Sequence, residues 1–233
     1  MISIHKSEHR GGANHGWLDA KHSFSFASYY NPQRMGFGPL RVINDDRIAP
    51  GRGFGAHAHR DMEIITYVLA GSLQHRDSMG NGSTLRAGDV QRMSAGSGVE
   101  HSEINPDSGA ELKLLQIWIE PSAKGLAPGY AERHFSSKEK SGRLALLVSP
   151  DGREKSLPIA QDALLFAGVF KEGEVAEHRI EPGRLAYAHV VAGSISVNGE
   201  RLSAGDAAEL VGEPLVRLDN ADSAEILLFD LPR

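Results

Sequence analysis

The amino-acid sequence predicts an all-β protein made of two tandem β domains with similar folds. From Arg41 onward, short apolar or alternating runs are separated by Gly, Asp, Asn and Pro, which is typical of a β-sandwich or barrel. Long stretches with the 3.6-residue period of a helix are scarce, so helices should be few and short. An internal repeat then divides the chain into two related halves.

The apolar runs predict the strands in chain order. Each run is short, rich in β-branched or other apolar residues, and ended by a turn residue. Examples are EIITYVLAG ending at Gly71, LKLLQIWIEP ending at Pro121, RLALLVSPDG, LAYAHVVAGSISVNG and EILLFDLP. The earlier run HSFSFASYY alternates Phe24 and Phe26 with serines, which favours a strand packed into the core over a surface that stacks on planar ligands.

The internal repeat relates residues 67–89 to residues 189–206. Both segments contain an apolar strand, Ala-Gly-Ser, a second strand, a turn and Ala-Gly-Asp. The repeat places the boundary between residues 121 and 144. We therefore predict an N-terminal domain over residues 1–130 and a C-terminal domain over residues 131–233.

Composition excludes several classes of site and partner. The net charge of −5 and the pI near 6.1 argue against nucleic acid as a direct partner. The chain has no cysteine, which excludes disulfides, thiolate metal ligands and a catalytic thiol. No signal-peptide pattern and no run of about 20 apolar residues is present, so we expect a soluble cytoplasmic protein without a membrane partner.

Four possible metal ligands occur as two closely spaced pairs. His57 and His59 lie in GFGAHAHRDME, and His101 and Glu103 lie in GVEHSEINP. Residues i and i+2 of a strand point to the same side, so each pair can reach one ion from its own strand. The second pair favours a metal site over the hydrogen-bonding role that a lone His-x-His often has. The ion types that suit such a site are Fe(II), which we favour, and Mn, Co, Ni, Cu or Zn.

Glu63 is an alternative carboxylate ligand. It follows His59 by four residues and can therefore share the face of that residue. It would then lie about 13 Å further along the strand at ~3.3 Å per residue, so a bend would have to bring it back. We therefore predict Glu103 as the ligand and Glu63 as a residue that orients a ligand imidazole. The other histidines are expected to be structural or to lack a partner at ligand spacing: His15, His22, His75, His134, His178 and His189. The chemistry should therefore be confined to the N-terminal half.

These motifs resemble those of the cupin superfamily. The match departs from the usual pattern in that Gly71 comes one residue late and the segment SAGSG lacks a proline. Residues 15–46 and 93–103 resemble the pirin family of bicupins more specifically, and this likeness extends over nearly the whole chain. The residues that fit the two cupin motifs are Gly51, His57, His59 and Glu63, then Gly88, Gly98, His101 and Asn105.

The resemblance implies two tandem jelly-roll barrels, with the metal held by the predicted set of His57, His59, His101 and Glu103. It also implies a dioxygenase that cleaves a flavonol such as quercetin with O2, giving a depside and carbon monoxide, with Glu103 accepting the substrate proton. We expect a monomer whose partners are an aromatic small molecule and O2. Phe54, Met93 and Trp118 flank the ligand strands and are predicted to line the pocket.

A second hypothesis also follows from the resemblance. Eukaryotic pirins are described as nuclear cofactors that bind transcription proteins, which suggests a metal-binding, redox-sensing regulatory protein that acts through protein partners. A change in the oxidation state of the ion could then alter a nearby surface. Rapid turnover of flavonols would favour the enzyme, and a partner whose binding depends on metal oxidation would favour the regulator.

Overall fold

A computed structural model describes residues 1–233 and confirms the all-β bicupin prediction. The strands of the first half are β1 (Ile2–His5), β2 (Gly11–Asn14), β3 (Leu18–His22), β4 (Leu40–Ile48), β5 (Gly53–His59), β6 (Glu63–Ala70), β7 (Ser72–Asp77), β8 (Gly82–Arg86), β9 (Asp89–Ser94), β10 (Val99–Ile104), β11 (Leu112–Ile119) and β12 (Gly129–His134). The strands of the second half are β13 (Ala145–Ser149), β14 (Leu157–Pro158), β15 (Leu164–Phe170), β16 (Ala176–Arg179), β17 (Leu185–Val197), β18 (Glu200–Ser203), β19 (Ala207–Val211) and β20 (Leu215–Leu231).

Helices are few and short, as expected. The single α-helix, α1 (Ser137–Lys140), begins with a capping box in which Ser136 and Glu139 exchange hydrogen bonds. Two 3₁₀ turns cover Ser7–His9 and Arg153–Lys155. None of these helices has the length and apolar character needed to cross a bilayer.

The first half contains two sheets and the second half one extended sheet. A seven-stranded sheet has the order β12-β9-β6-β11-β4-β3-β2, and a four-stranded sheet has the order β5-β10-β7-β8. The second half follows the order β1-β19-β17-β20-β15-β13-β14, with β16 on β20 and β18 on β17. Register shifts between Val190 and Ser196 mark where the long strand β17 departs from regular pairing with β20.

Two strands cross the predicted boundary at residue 130. Strand β12 spans that position and pairs with β9 of the seven-stranded sheet, so its last four residues lie with the first half. Strand β1 pairs with β19, which places Ile2–His5 in the sheet of the second half. A division of the chain into two halves near this position remains our prediction, with these two strands as exceptions to a simple cut.

The largest apolar cluster joins the two halves. It contains Ile65 and Ile117 from the outer face of the seven-stranded sheet together with Leu165, Tyr187 and Phe229 from the second half, and all five side chains are buried. A polar contact adds to it, because the hydroxyl of Tyr67 on β6 donates to the Glu225 carboxylate on β20. The second half thus supports the sheet whose inner face carries the candidate site.

Candidate metal centre

Three of the predicted ligands converge between strands β5 and β10. The antiparallel register places His57 directly opposite His101 and puts His59 opposite Val99. One ring nitrogen from each of the three histidines lies within 4.8 Å of the others. The spacing of residues i and i+2 explains why His57 and His59 share a face, and the strand pairing supplies the third imidazole.

The hydrogen bonds of these histidines leave nitrogens free for an ion. The Nδ1–H of His57 donates to the Gly55 carbonyl at 2.8 Å, which fixes the tautomer that keeps Nε2 as an acceptor. Both ring nitrogens of His101 are buried and lack a hydrogen-bond partner. Buried polar atoms are nearly always paired, so an imidazole with two unpaired nitrogens fits a metal ligand better than a structural residue.

The protonation state of the cluster also suits a cation. Burial, together with the neighbouring histidines, lowers the pKa of His59 to about 4 and the pKa of His101 to about 3. Both imidazoles are therefore neutral near pH 7, which is the form that binds a metal ion.

Glu103 reaches the same site from β10 and connects the two sheets of the barrel. Its buried carboxylate accepts hydrogen bonds from the Thr66 hydroxyl at 3.2 Å and from the Gln116 amide at 2.8 Å. Thr66 and Gln116 are cross-strand neighbours on β6 and β11 of the seven-stranded sheet. Burial raises the pKa of Glu103 above its ordinary value, although nearby His75 and these hydrogen bonds act in the opposite direction.

His75 is a site residue that sequence spacing does not reveal. Strand β7 pairs with β10 so that His75 lies opposite Glu103, and ligand atoms of His75, His101 and Glu103 fall within 4.8 Å of one another. The Nε2–H of His75 donates to Asp77 at 3.2 Å, while its buried Nδ1 has no partner. His101 therefore belongs to two candidate ligand clusters, one with His57 and His59 and one with His75 and Glu103.

The predicted role of Glu63 is wrong. Glu63 lies on the same side of β6 as Ile65, which packs into the cluster between the halves, whereas Thr66 on the opposite side reaches Glu103. The Glu63 carboxylate accepts a hydrogen bond from the Ser94 hydroxyl at 2.7 Å rather than from a ligand imidazole. The alternation of strand faces cannot be continued from His59 to Glu63, because the chain leaves the strand between β5 and β6, where Asp61 has a φ of +50°.

A cavity of about 180 Å³ lies beside the histidines. Its lining residues are Leu18, Ala20, His22, Phe26, Asn44, Asp46, Phe54, His57, His59, Glu103, Gln116 and Trp118. Phe54 and Trp118 are thus wall residues, as predicted. Met93 is not, because it is buried in a separate apolar cluster with Ile64 and Val99.

The aromatic run at residues 22–30 also differs from its prediction. Beyond His22 it forms a turn closed by an isolated bridge between Phe26 and Tyr29 rather than a strand. Phe24 packs into the core between the halves, but Phe26 lines the cavity and meets the Trp118 ring edge-on, with centroids 5.3 Å apart. Only one of the two phenylalanines is therefore a core residue.

Polar groups line the wall of the cavity formed by β3, β4 and β11. His22, Asn44 and Gln116 are neighbours across the three strands, and the His22 ring lies 2.8 Å from the Asn44 amide oxygen. Asp46 follows two residues after Asn44 and faces the same cavity. Burial, with a smaller contribution from the Glu103 carboxylate, raises the pKa of Asp46 to about 8.

Both candidate ligand clusters lie in the first half of the chain. Where the second half would repeat the His-x-His segment, it has the single His178 on β16. This ring contacts the Asp230 carboxylate at 2.8 Å, and Asp230 also accepts a hydrogen bond from Arg184. His178 is therefore engaged in an ion-pair network rather than grouped with other potential ligands.

Comparison with known proteins gives a consistent assignment. The Pirin family profile matches residues 4–119, and a profile described as the quercetinase C-terminal cupin domain matches residues 146–231. A protein named quercetin 2,3-dioxygenase from Escherichia coli strain K12 is 46% identical over 232 residues, which cover 100% of this chain and 99% of the relative. A pirin-like protein from Caulobacter vibrioides is 44% identical over 231 residues, covering 99% of both chains.

A solved structure of a related protein superposes on the whole chain. The bacterial pirin YhhW from Escherichia coli in complex with nickel(II) superposes with a TM-score of 0.95 at 46% identity, covering 100% of this chain and 99% of that one. The family profiles, the full-length relatives and the two-barrel fold all agree with the motifs found in the sequence. The chain belongs to the pirin family.

Proposed function

We propose that the protein is a metal-dependent dioxygenase that cleaves a flavonol such as quercetin with O2. The observation that carries this proposal is the convergence of His57, His59 and His101 beside a cavity with aromatic walls, with both nitrogens of His101 unpaired. The Escherichia coli relative named quercetin 2,3-dioxygenase supports the choice of substrate. The expected products are a depside and carbon monoxide.

His57, His59, His101 and Glu103 are the ligands that we propose for one divalent transition metal. Imidazole nitrogens with one carboxylate suit Fe(II), Mn, Co, Ni, Cu and Zn, so the donor set alone does not choose the ion. Fe(II) is our first candidate, and the nickel(II) complex of the related pirin makes nickel the second. When bound, such an ion would acidify a coordinated hydroxyl and assist electron transfer to oxygen.

The chain itself binds and orients the substrate. Phe26, Phe54 and Trp118 offer apolar ring surfaces to a planar aromatic compound and keep water from the ligand side of the cavity. Glu103 is the proposed acceptor of the hydroxyl proton. Burial raises the pKa of this carboxyl group, which favours its uptake of a proton.

Gln116 should be important because it orients Glu103. Replacing it by leucine removes the 2.8 Å hydrogen bond to the carboxylate while keeping a side chain of similar size. Removing a partner that orients a ligand typically lowers metal affinity about 10- to 100-fold, and we expect a loss in that range. Competition with a chromophoric chelator would measure it.

Gln91→Leu is the matched control for this prediction. Gln91 is buried on the neighbouring strand β9 and its amide lies 3.4 Å from the Thr66 hydroxyl, but it does not contact Glu103. Metal affinity should therefore change little in this variant. Equal losses in the two variants would mean that metal affinity depends on the buried polar side chains of Gln91, Thr66 and Gln116 in general, rather than on the orientation of Glu103.

The proposed activity is tested by oxygen uptake with quercetin. Protein reconstituted separately with each candidate metal is compared with a His57→Ala, His101→Ala double variant, and carbon monoxide and depside are quantified. We expect uptake that depends on the metal and disappears in the double variant. One bound metal per chain without oxygen uptake would contradict the dioxygenase and leave the regulatory hypothesis as the better reading.

A further inference from the structure

Asp46 on β4 is a buried carboxyl group without a protein partner. The residue is only 3% exposed, its buried Oδ1 has no hydrogen-bond partner, and its carboxyl group forms no ion pair within the chain. Its cross-strand neighbours are Ala20 on β3 and Leu114 on β11, and neither offers a polar side chain. Burying an unpaired carboxyl costs stability, so the residue contributes nothing evident to folding.

The adjacent residues do have partners. Asp45 lies on the opposite side of β4, is partly exposed, and has Arg10 at 3.7 Å. Asn44 shares the face of Asp46, but its amide oxygen is taken by His22 at 2.8 Å. The unpaired state is therefore specific to Asp46, which is the carboxyl group of this strand that faces the cavity.

Asp46 lies close to the candidate metal ligands. It lines the same cavity as His57, His59 and Glu103. Unsatisfied polar groups that face a pocket are candidates for ligand recognition. The buried indole N–H of Trp118, on another wall residue of this cavity, is likewise unpaired.

The size of the cavity limits what can enter. Its volume of about 180 Å³ is smaller than the roughly 300 Å³ or more of pockets that enclose drug-sized ligands. A compact planar ring system fits this space better than a whole polyphenol, whose remaining ring would extend through the opening. A ring system in this cavity would border both the candidate metal ligands and the polar wall that contains Asp46.

We propose that Asp46 positions the substrate through a hydrogen bond to a second oxygen adjacent to the one at the metal, so that the preferred substrates are planar aromatic compounds with two neighbouring oxygens. The 3-hydroxyl and 4-oxo groups of a flavonol have this arrangement. This inference rests on the proposed function in placing one substrate oxygen at the ion. It adds a specificity-determining residue outside the ligand set.

Two small probes test the proposal by anaerobic calorimetry with metal-loaded protein. They are 2-naphthol, with one hydroxyl, and 2,3-dihydroxynaphthalene, with two neighbouring hydroxyls. We expect wild-type protein to prefer the diol and Asp46→Leu to lose about tenfold of that preference, which corresponds to one hydrogen bond of about 1.4 kcal/mol. Asp46→Asn, which can still hydrogen-bond, should retain part of it.

Asp45→Asn is the control and should keep the wild-type preference, because Asp45 faces away from the cavity. Thermal unfolding without ligand separates recognition from a structural role: Asp46→Leu should be at least as stable as wild type, since it removes an unpaired buried carboxyl. An unchanged diol preference in Asp46→Leu would overturn the proposal, because chelation by the ion alone would then explain it. If quercetin is not oxidised but the Asp46-dependent preference is present, the proposed function fails while the role of Asp46 stands.

Discussion

Replacing His101 by alanine should weaken the binding of a divalent transition metal by more than about 100-fold. His101 belongs to both candidate ligand clusters, and neither of its ring nitrogens has another partner. Losing a residue that only orients a ligand already costs about 10- to 100-fold in affinity, so loss of a direct ligand should exceed that range. Chelator competition gives the dissociation constant, and elemental analysis gives the metal content.

His22→Ala is the matched control for this variant. His22 is also a buried histidine and lines the same cavity, but it pairs with Asn44 and belongs to neither cluster. Its replacement should leave the metal content at one ion per chain. Circular dichroism would confirm that both variants are folded, and a folded His101→Ala protein with wild-type affinity would remove His101 from the ligand set.

Replacing Phe229 by alanine should lower the free energy of unfolding by about 3–5 kcal/mol, the usual cost of deleting a buried aromatic ring. Phe229 on β20 is fully buried in the apolar cluster that joins the halves. Its loss should destabilise the first half as well. Both tryptophans, Trp17 and Trp118, lie in that half, so urea unfolding followed by tryptophan fluorescence reports on it directly.

Tyr30→Ala provides the comparison, because its side chain is 72% exposed and a change there should stay within about 0.5 kcal/mol. A shift of the fluorescence transition in Phe229→Ala shows that the halves unfold together, as the shared cluster requires. A transition at the wild-type urea concentration would instead mean that the half with the metal site is stable on its own.

Local periodicity was sufficient to predict the fold class and to select the four ligand candidates. His57 and His59 share a face because they are two residues apart in one strand, and this prediction holds whichever strands pair with it. The same holds for His101 and Glu103 as a nominated pair, even though the register shifts between them where β10 pairs with β5. Their role as a complete ligand set remains a proposal.

Contacts between strands distant in sequence could not be predicted in the same way. His75 approaches Glu103 only because β7 pairs with β10, and no spacing within the sequence encodes that register. Asp46 carries no sequence signal of its own, because its burial depends on the pairing of β4 with β3 on one side and with β11 on the other. The pairing of β1 with β19, close to opposite ends of the chain, was inaccessible for the same reason.

Errors in assigning faces arose where the backbone departs from a regular strand. Glu63 was counted from His59 across the interruption between β5 and β6, and this placed it on the wrong side. Phe26 follows serines in the alternating pattern of a strand, yet the chain turns there and presents the ring to the cavity. Periodicity is informative only while the strand is continuous.

Anomalous diffraction from crystals of the metal-loaded protein, recorded at the absorption edge of the bound ion, tests the central claim most directly. The account predicts one strong peak within coordination distance of His57, His59 and His101, with a Glu103 oxygen as the fourth protein ligand and an open position towards the cavity. A peak elsewhere in the molecule, or no peak in crystals grown with excess metal, would contradict the metal centre and the dioxygenase proposal that depends on it.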